Sequence, residues 1–379
     1  MANTPPLNIG AAGVAAKIDL TKLSDALLAT PEALYIWTNY ASLKFGPAGE
    51  NEGSKVQVDR LKPLESPDPT NLAAYVAVST FAALPDQTNT ALFQALDWDS
   101  VTIQVERYCM PKPVAAKFKA MQLSQVDLEM AHAINLRRNF HEFEDTLIRE
   151  QYRSHVCTQI FGKSLRTDKA SMVNVPSTDG LAVSMLKKFK ERAATLYLRA
   201  FGSAPGSDAQ ALEGSFLAVT DQYGINELSE DPLWRDYVIR DPSGERGRLV
   251  KGFIGEFEQI TVVKSDRMAT TQVGSGNAFT GHEIIFMASD PTLIETGEDG
   301  TQGFFGEYPV AWAQIGLPEV KRASEDGFGE NIILRWYATL GTQALEEMDL
   351  TTAQAISTSL GGIAVATGSS RFIHRGLFV

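Results

Sequence analysis

The chain has 379 residues, enough for one large core or two or three smaller units. Its formal charge is −12 and its pI about 5.0, a balance that argues against a free-standing nucleic-acid binder. Only Cys109 and Cys157 are present, which excludes a disulfide framework and a paired-cysteine zinc site and points to a reducing compartment.

The start, "MANTPPLNIGAAG", has no basic region followed by an apolar run, so no signal peptide is expected. No apolar stretch approaches ~18 residues, so no membrane span is expected. Residues 1–50 read as a loosely ordered arm with an amphipathic patch that includes Leu23, Leu27, Leu28, Leu34, Ile36 and Trp37. The arm is too short to bury these residues by itself, so they are expected to dock elsewhere.

"SKVQVDRL" alternates, with Val56 and Val58 on one side and Gln57 and Asp59 on the other. "SVTIQVERY" does the same through Val101, Ile103 and Val105. Period-two patterning marks half-buried strands. The turn-rich stretch between them is long for a compact domain. It suits a projecting two-stranded arm that packs on a neighbour.

From Val114 to Phe161 there is no Gly or Pro. Ser124 and Asp127 suit a helix start, and Val126, Met130, Ile134, Phe140, Phe143, Leu147, Val156 and Ile160 recur mostly three or four apart. Gly162 offers the stop. The pattern predicts a helix of about 37 residues, about 55 Å long. A second helix is predicted over 181–202, ending at Gly202. Strands are expected at "SFLAVT", "EQITVVKS", "GHEIIFMAS", "YPVAWAQIG" and "NIILRWYATLGTQAL". "LGGIAVATGSS" reads as a flexible glycine-rich piece, and no internal repeat is present.

"AVTDQYGINELSEDPLWRDYV" carries Asp221, Glu227, Glu230, Asp231 and Asp236. Ser229 is the candidate N-cap, with Glu230 and Asp231 in the first turn and Pro232 behind them. Acids favour helix N-termini, where N–H groups are unpaired and the dipole is positive. A helix start accounts for most of these acids. A catalytic pair would need partners that shift one pKa, and no His or Cys is near in sequence. In "HEFEDTLIREQYRSH", His141 and His155 lie fourteen apart, and Asp145 stands where a zinc-peptidase helix has its second His. These charges read as the solvated face of the long helix. "VGSGNAFTG" lacks the phosphate-loop ending and reads as a turn between strands, with His282 structural. No GxSxG elbow is present. No enzyme signature, cofactor site or metal site is expected.

The order of these parts resembles the major capsid proteins of tailed bacteriophages, the Johnson fold first seen in phage HK-ninety-seven. Within that family the sequence is similar to the group typified by coliphage N-four. "VQVDRLKPL" and "VTIQVERYCMPKPVAAKF" resemble the two strands of the extended loop. "AVTDQYGINELSEDPLWRDYV" resembles a strand, polar turn and helix, with Thr220 and Asp221 where the family commonly shows His-Pro. "LVKGFIGEFEQITVVKSDRM" and "NIILRWYATLGTQAL" resemble a glycine turn with its strand and the closing strand. Arg107, Tyr108 and Cys109 stand where the family often has Gln-Tyr-Gly.

The resemblance implies an α+β fold. Its parts are an N-terminal arm (1–50), an extended two-stranded loop (51–113), a peripheral domain with a long spine helix (114–182), an axial domain (183–329), and a closing strand with a C-terminal tail (330–379). It implies a non-enzymatic shell protein that assembles into hexamers and pentamers of an icosahedral capsid in the host cytoplasm. The shell would enclose double-stranded DNA without sequence-specific binding, and no membrane would be involved. A separate scaffold protein, a portal and decoration proteins are the further partners it suggests. Trp37, Leu61 and Trp98 are the candidate intersubunit contacts. The competing readings are another ring-forming virion protein, such as a portal or connector, and a metal-dependent enzyme built on the acidic cluster.

Overall fold

The computed structural model describes residues 35–45, 55–61, 98–111, 114–117, 128–162, 180–196, 198–202, 209–240, 250, 252–273, 279–290, 292–296, 302–324, 331–345 and 370–379. The expected features at Leu23 to Leu34, Ser124, Val126 and residues 360–369 lie outside them.

A long helix, α1 (Leu128–Ser154), lies on a five-stranded sheet. Leu136, Phe140, Ile148 and Tyr152 fall on one side of the helix, and all are buried. The sheet is built on a long hairpin, β14 (Val310–Ser324) with β15 (Asn331–Ala344). β1 (Ser42–Phe45) runs parallel to β14, while β4 (Glu106–Cys109) and β5 (Val114–Lys117) pair in tandem with β15. Leu334, Trp336, Ala338 and Leu340 alternate along β15 and pack towards the helix. Trp336 is the centre of that contact. Its ring lies 5.3 Å from Phe140 and 5.4 Å from Phe143, and its indole N–H donates to Asn139 Oδ1 at 2.9 Å.

A second sheet has the order β6–β16–β11–β7–β9–β8, with β10 on β11. The strands are β6 (Val156–Phe161), β7 (Phe216–Thr220), β8 (Phe253–Phe257), β9 (Ile260–Lys264), β10 (Thr271–Val273), β11 (Phe279–Met287) and β16 (Ser370–Phe378). Both faces are covered, so its strands read as apolar runs. On one face, Val183, Met185, Leu186, Phe189 and Ala193 of α2 (Val183–Thr195) meet Ala218, Ile284, Phe286 and Phe378. Phe189 stacks on Phe286 with centroids 4.6 Å apart. On the other face, Leu217, Val219, Ile285, Met287 and Ile373 meet Ile148 and Tyr152 from the end of α1. Two short helices, α3 (Gln222–Glu230) and α4 (Pro232–Arg240), follow β7.

A third sheet has the order β13–β12–β2–β3. β2 (Lys55–Leu61) and β3 (Trp98–Gln104) pair antiparallel, as the alternation predicts, and they join β12 (Leu293–Thr296) and β13 (Gln302–Gly306). Val56, Val58, Ile103 and Val105 are buried against Ala311, Ala313 and Leu345. Arg60 is buried with Asp290 at 3.0 Å and donates to Thr292 at 3.1 Å, which fastens β2 to the residues before β12. The five strands expected from apolar runs are all present. β10 and β11 pair across "VGSGNAFTG", so that stretch connects antiparallel neighbours; its residues 274–278 lie outside the described ones.

Three expectations are corrected. The long helix ends at Ser154, a 27-residue element about 40 Å long, and residues 156–161 are strand β6. Val156, Thr158 and Ile160 are β-branched and gain a parallel partner in β16, which a helix could not offer them. Gly162, read as a helix stop, has φ +57 and donates its N–H to Leu377 at 2.7 Å as the strand exits. The second helix stops at Thr195, not Gly202; Arg199 then bridges to Ser289, and Gly202 sits in a later turn at φ +73. The C-terminal residues, for which the pattern provided no element, form β16 inside the second sheet.

Gly341 in β15 faces the junction of β3 and β4, where a Cβ would lie 2.3 Å from the Gln104 carbonyl oxygen and 2.8 Å from Val105 Cγ1. Backbone cannot retreat as a flexible side chain does. Gly341→Ala is expected to cost about 1–3 kcal/mol, read as a lowered melting temperature in calorimetry.

Candidate functional site

The acidic stretch resolves into helix caps. Asp221 precedes α3, and its Oδ1 accepts the Gly224 N–H at 2.8 Å. Asp231 stands between α3 and α4. Its Oδ1 accepts the Leu233 N–H at 2.9 Å, and its Oδ2 accepts the N–H of Val183, first residue of α2, at 3.1 Å. One carboxylate therefore serves the starts of two helices. Glu230 and Asp236 are exposed. The cap expected of Ser229 is corrected: its hydroxyl donates to the Asn226 carbonyl at 2.7 Å, because the first helix has already begun at Gln222. The folded chain also brings His282 to this stretch. Its Nδ1 pairs with Asp221 Oδ2, and its ring stacks on Tyr223 at 4.3 Å. Among the described residues, no group of three or more His, Cys, Asp or Glu is placed to hold a metal ion.

Only part of the long helix's charge is solvated: Glu142 and Glu150 are half exposed. His141, Glu144 and Asp145 are buried. Residues 35–41 explain this, since they pack against this part of α1. Asp145 Oδ1 accepts the Trp37 N–H at 2.8 Å, Trp37 packs on Tyr152 at 5.4 Å, and the Tyr152 hydroxyl donates to the Tyr40 carbonyl. His141 Nδ1 lies 3.0 Å from Glu144, while His155 Nδ1 sits by Gln151 O at 3.0 Å, so the two histidines have separate local partners.

Trp37, expected at an intersubunit contact, is 0% exposed within its own chain and belongs to the core where α1 meets both larger sheets. Leu61 and Trp98 are paired with each other across β2 and β3 at the end of the described ladder, where residues 62–97 leave and return.

The sequence reading missed the polar joint under α1. Glu283 of β11 is fully buried. Arg153, in the last turn of α1, donates Nε to Glu283 Oε2 and Nη2 to Oε1, both at 2.9 Å. Arg375 of β16 and the Thr271 hydroxyl bind Oε1 as well. Burial alone would raise the Glu283 pKa; the hydrogen bond from Arg153 and the charge of Arg375 outweigh it and hold the carboxyl below its usual range. A carboxylate inside the apolar run "GHEIIFMAS" was the available signal.

Beside this joint, His374 Nδ1 shares a 2.6 Å hydrogen bond with Thr158, whose hydroxyl also accepts Arg192 at 2.8 Å. Burial, with the nearby Arg192 charge, pushes His374 down to about 3.

No family model matches the sequence, and no curated protein matches it. Solved structures do. The chain is similar to the capsid of Ralstonia phage GP4, with TM-score 0.58 and 12% identity over 84% of this chain and 87% of that one. It is similar to the capsid of cyanophage Pam1, with TM-score 0.56 and 12% identity over 92% of this chain and 93% of that one. It is also similar to the capsid of Helicobacter pylori bacteriophage KHP30, with TM-score 0.56 and 10% identity over 92% of this chain and 91% of that one. The chain has the mixed α+β fold of these phage capsid chains.

Burial pushes the Asp145 carboxyl up to about 6 against the opposing Trp37 N–H and the charges of Arg267 and Arg149. A raised folded-state value means the native chain binds a proton before the unfolded chain does, so protonation stabilises the fold as pH falls from about 6 to the model-peptide value of 3.8. Asp145→Asn keeps the acceptor for Trp37 and removes the titration. Denaturant unfolding across this window should therefore show wild type gaining on the variant as pH falls, by up to about 1.4 kcal/mol per pH unit. A constant difference would contradict the assignment.

Proposed function

We propose that the chain is the major capsid protein of a tailed bacteriophage. The observation that carries this reading is the likeness to three phage capsid chains over 84–92% of its length at TM-scores of 0.56–0.58. In this reading the copies assemble into hexamers and pentamers of an icosahedral shell around double-stranded DNA, in the host cytoplasm. α1 is the spine helix of the peripheral domain (114–182), residues 183–329 are the axial domain, and β15 is the closing strand of the peripheral domain. β2 and β3 are the base of the extended loop. The N-four-like subgroup rests on the sequence stretches that resemble it. A separate scaffold, a portal and decoration proteins are further partners in the same proposal.

The physical chemistry supports a container. The chain carries a formal charge of −12, and phosphate contacts that hold DNA would hinder its packaging and release. Many modest contacts repeated in a closed shell act together, so no single one needs to be strong. Of the acids that would serve an enzyme, Asp231 accepts the N–H groups of Leu233 and Val183, and Asp221 accepts that of Gly224 and pairs with His282. No described helix is long and apolar enough to cross a membrane.

Negative-stain microscopy and sedimentation of the purified chain, alone and with the products of neighbouring genes, test the reading. Closed shells or six-fold capsomers are expected; rings of another symmetry would favour a connector. Leu61→Ala and Trp98→Ala are each expected to reduce assembly while leaving the monomer's melting temperature unchanged. A lowered melting temperature instead would make these residues internal supports, not intersubunit contacts.

A further inference from the structure

One half of one sheet face is uncovered among the described residues. Along β15, Leu334, Trp336, Ala338 and Leu340 meet α1, and Arg335, Tyr337 and Thr339 point the other way. Near the start of β14 this second face is covered, because the valines of β2 and β3 pack on Ala311 and Ala313. Beyond the bulge at Gly316 the cover ends among the described residues. There Glu319 pairs with Tyr337 and Lys321 with Arg335, while Arg107 of β4 pairs with Thr339, which stands opposite Ile315 just before the bulge. Paired residues of antiparallel strands share a face.

This half-face is basic on an acidic chain. The Arg107, Lys321 and Glu319 side chains are 57%, 51% and 48% exposed. Both cations lie over the Tyr337 ring, at 5.1 and 5.7 Å. Both also pair with Glu319, at 3.0 and 2.7 Å, so one carboxylate serves two cations. Arg335 adds a third, and its Nε is buried with no hydrogen-bond partner among the described residues.

The same hairpin supplies the opposite charge. β14 ends at Ser324, paired with Ile332, and the link 325–330 reads "EDGFGE", with Glu325, Asp326 and Glu330. The Glu319–Tyr337 rung, beside Arg107, lies about 17 Å from the Ser324–Ile332 rung at ~3.4 Å per residue. The three acids of this link match, in sign and number, the three cations of a second copy's half-face. A basic patch and an acidic link at different places on one chain make a head-to-tail contact, which closes into rings when the rotation closes.

We propose that the acidic link 325–330 of a second copy of this chain docks on the Arg107–Lys321–Arg335 half-face. The proposal rests on the capsid reading and names a contact within it.

The test compares wild type, a Lys321→Glu/Arg335→Glu variant, and that variant with Glu325→Lys, Asp326→Lys and Glu330→Lys added. Shells are counted by microscopy and folding is followed by circular dichroism. The face variant should stay folded and lose shells at least tenfold, and the combined variant should recover them. Wild-type particles assembled from a mixture of nitrogen-14 and nitrogen-15 copies are then treated with carbodiimide. Mixed-isotope peptides joining Lys321 to Glu325, Asp326 or Glu330 are expected; this measurement stands even if the face variant fails to fold. Wild-type shells without such mixed peptides, or a folded face variant that assembles normally, would overturn the docking proposal and leave the capsid reading in place. Failure of wild type to assemble under every condition would overturn both.

Discussion

Arg153 reaches from the last turn of the long helix to Glu283, a fully buried carboxylate in the second sheet, and the relation between the chain's two larger layers depends on that contact. Arg375 binds the same carboxylate from β16, so helix, central strand and C-terminal strand meet at one group. Loss of Glu283 would take the carboxylate from both arginines, whereas loss of Arg153 would leave Glu283 with Arg375 and Thr271. The apolar core follows the same geometry: Ile148 and Tyr152, just before Arg153, pack with Leu217, Ile285 and Ile373 of the sheet and with Trp37 and Tyr40. The helix is thus held to one sheet along its middle, through Trp336, and to the other at its end.

How much of this was legible depends on where each residue finds its partner. Val56, Val58 and Ile103 alternate and are buried as alternation predicts, because each needs only a face. The apolar runs of β7, β9 and β11 were readable for the same reason. The end of the long helix was not. Residues 156–161 continue an acceptable helical spacing, and only β16, more than 200 residues later in the chain, makes them a strand. β16 itself was hidden by Arg371, His374 and Arg375. Such residues enter a buried strand only with partners, and Arg375 and His374 find theirs in Glu283 and Thr158, far away in sequence.

The candidate site divides in the same way. That Asp221 and Asp231 start helices was legible from local chemistry, although the cap assigned to Ser229 was off because two short helices replace one. The approach of His282 to Asp221 was not legible, since it depends on β11 lying beside β7. Trp37 reads as an intersubunit contact because the arm has no core of its own; within the chain it packs on Tyr152 of the long helix. The charged residues at 141–145 looked solvated because nothing local reveals that Trp37 and its neighbours lie over them.

The most direct measurement of the central claim is a cryo-electron microscopy reconstruction of the purified chain under assembly conditions. The account predicts a closed icosahedral shell in which every subunit shows α1 running from the β14–β15 sheet to the joint at Glu283, with residues 62–97, between β2 and β3, touching an adjacent subunit. An open ring of another symmetry, or subunits in which α1 and the second sheet are separated, would contradict it.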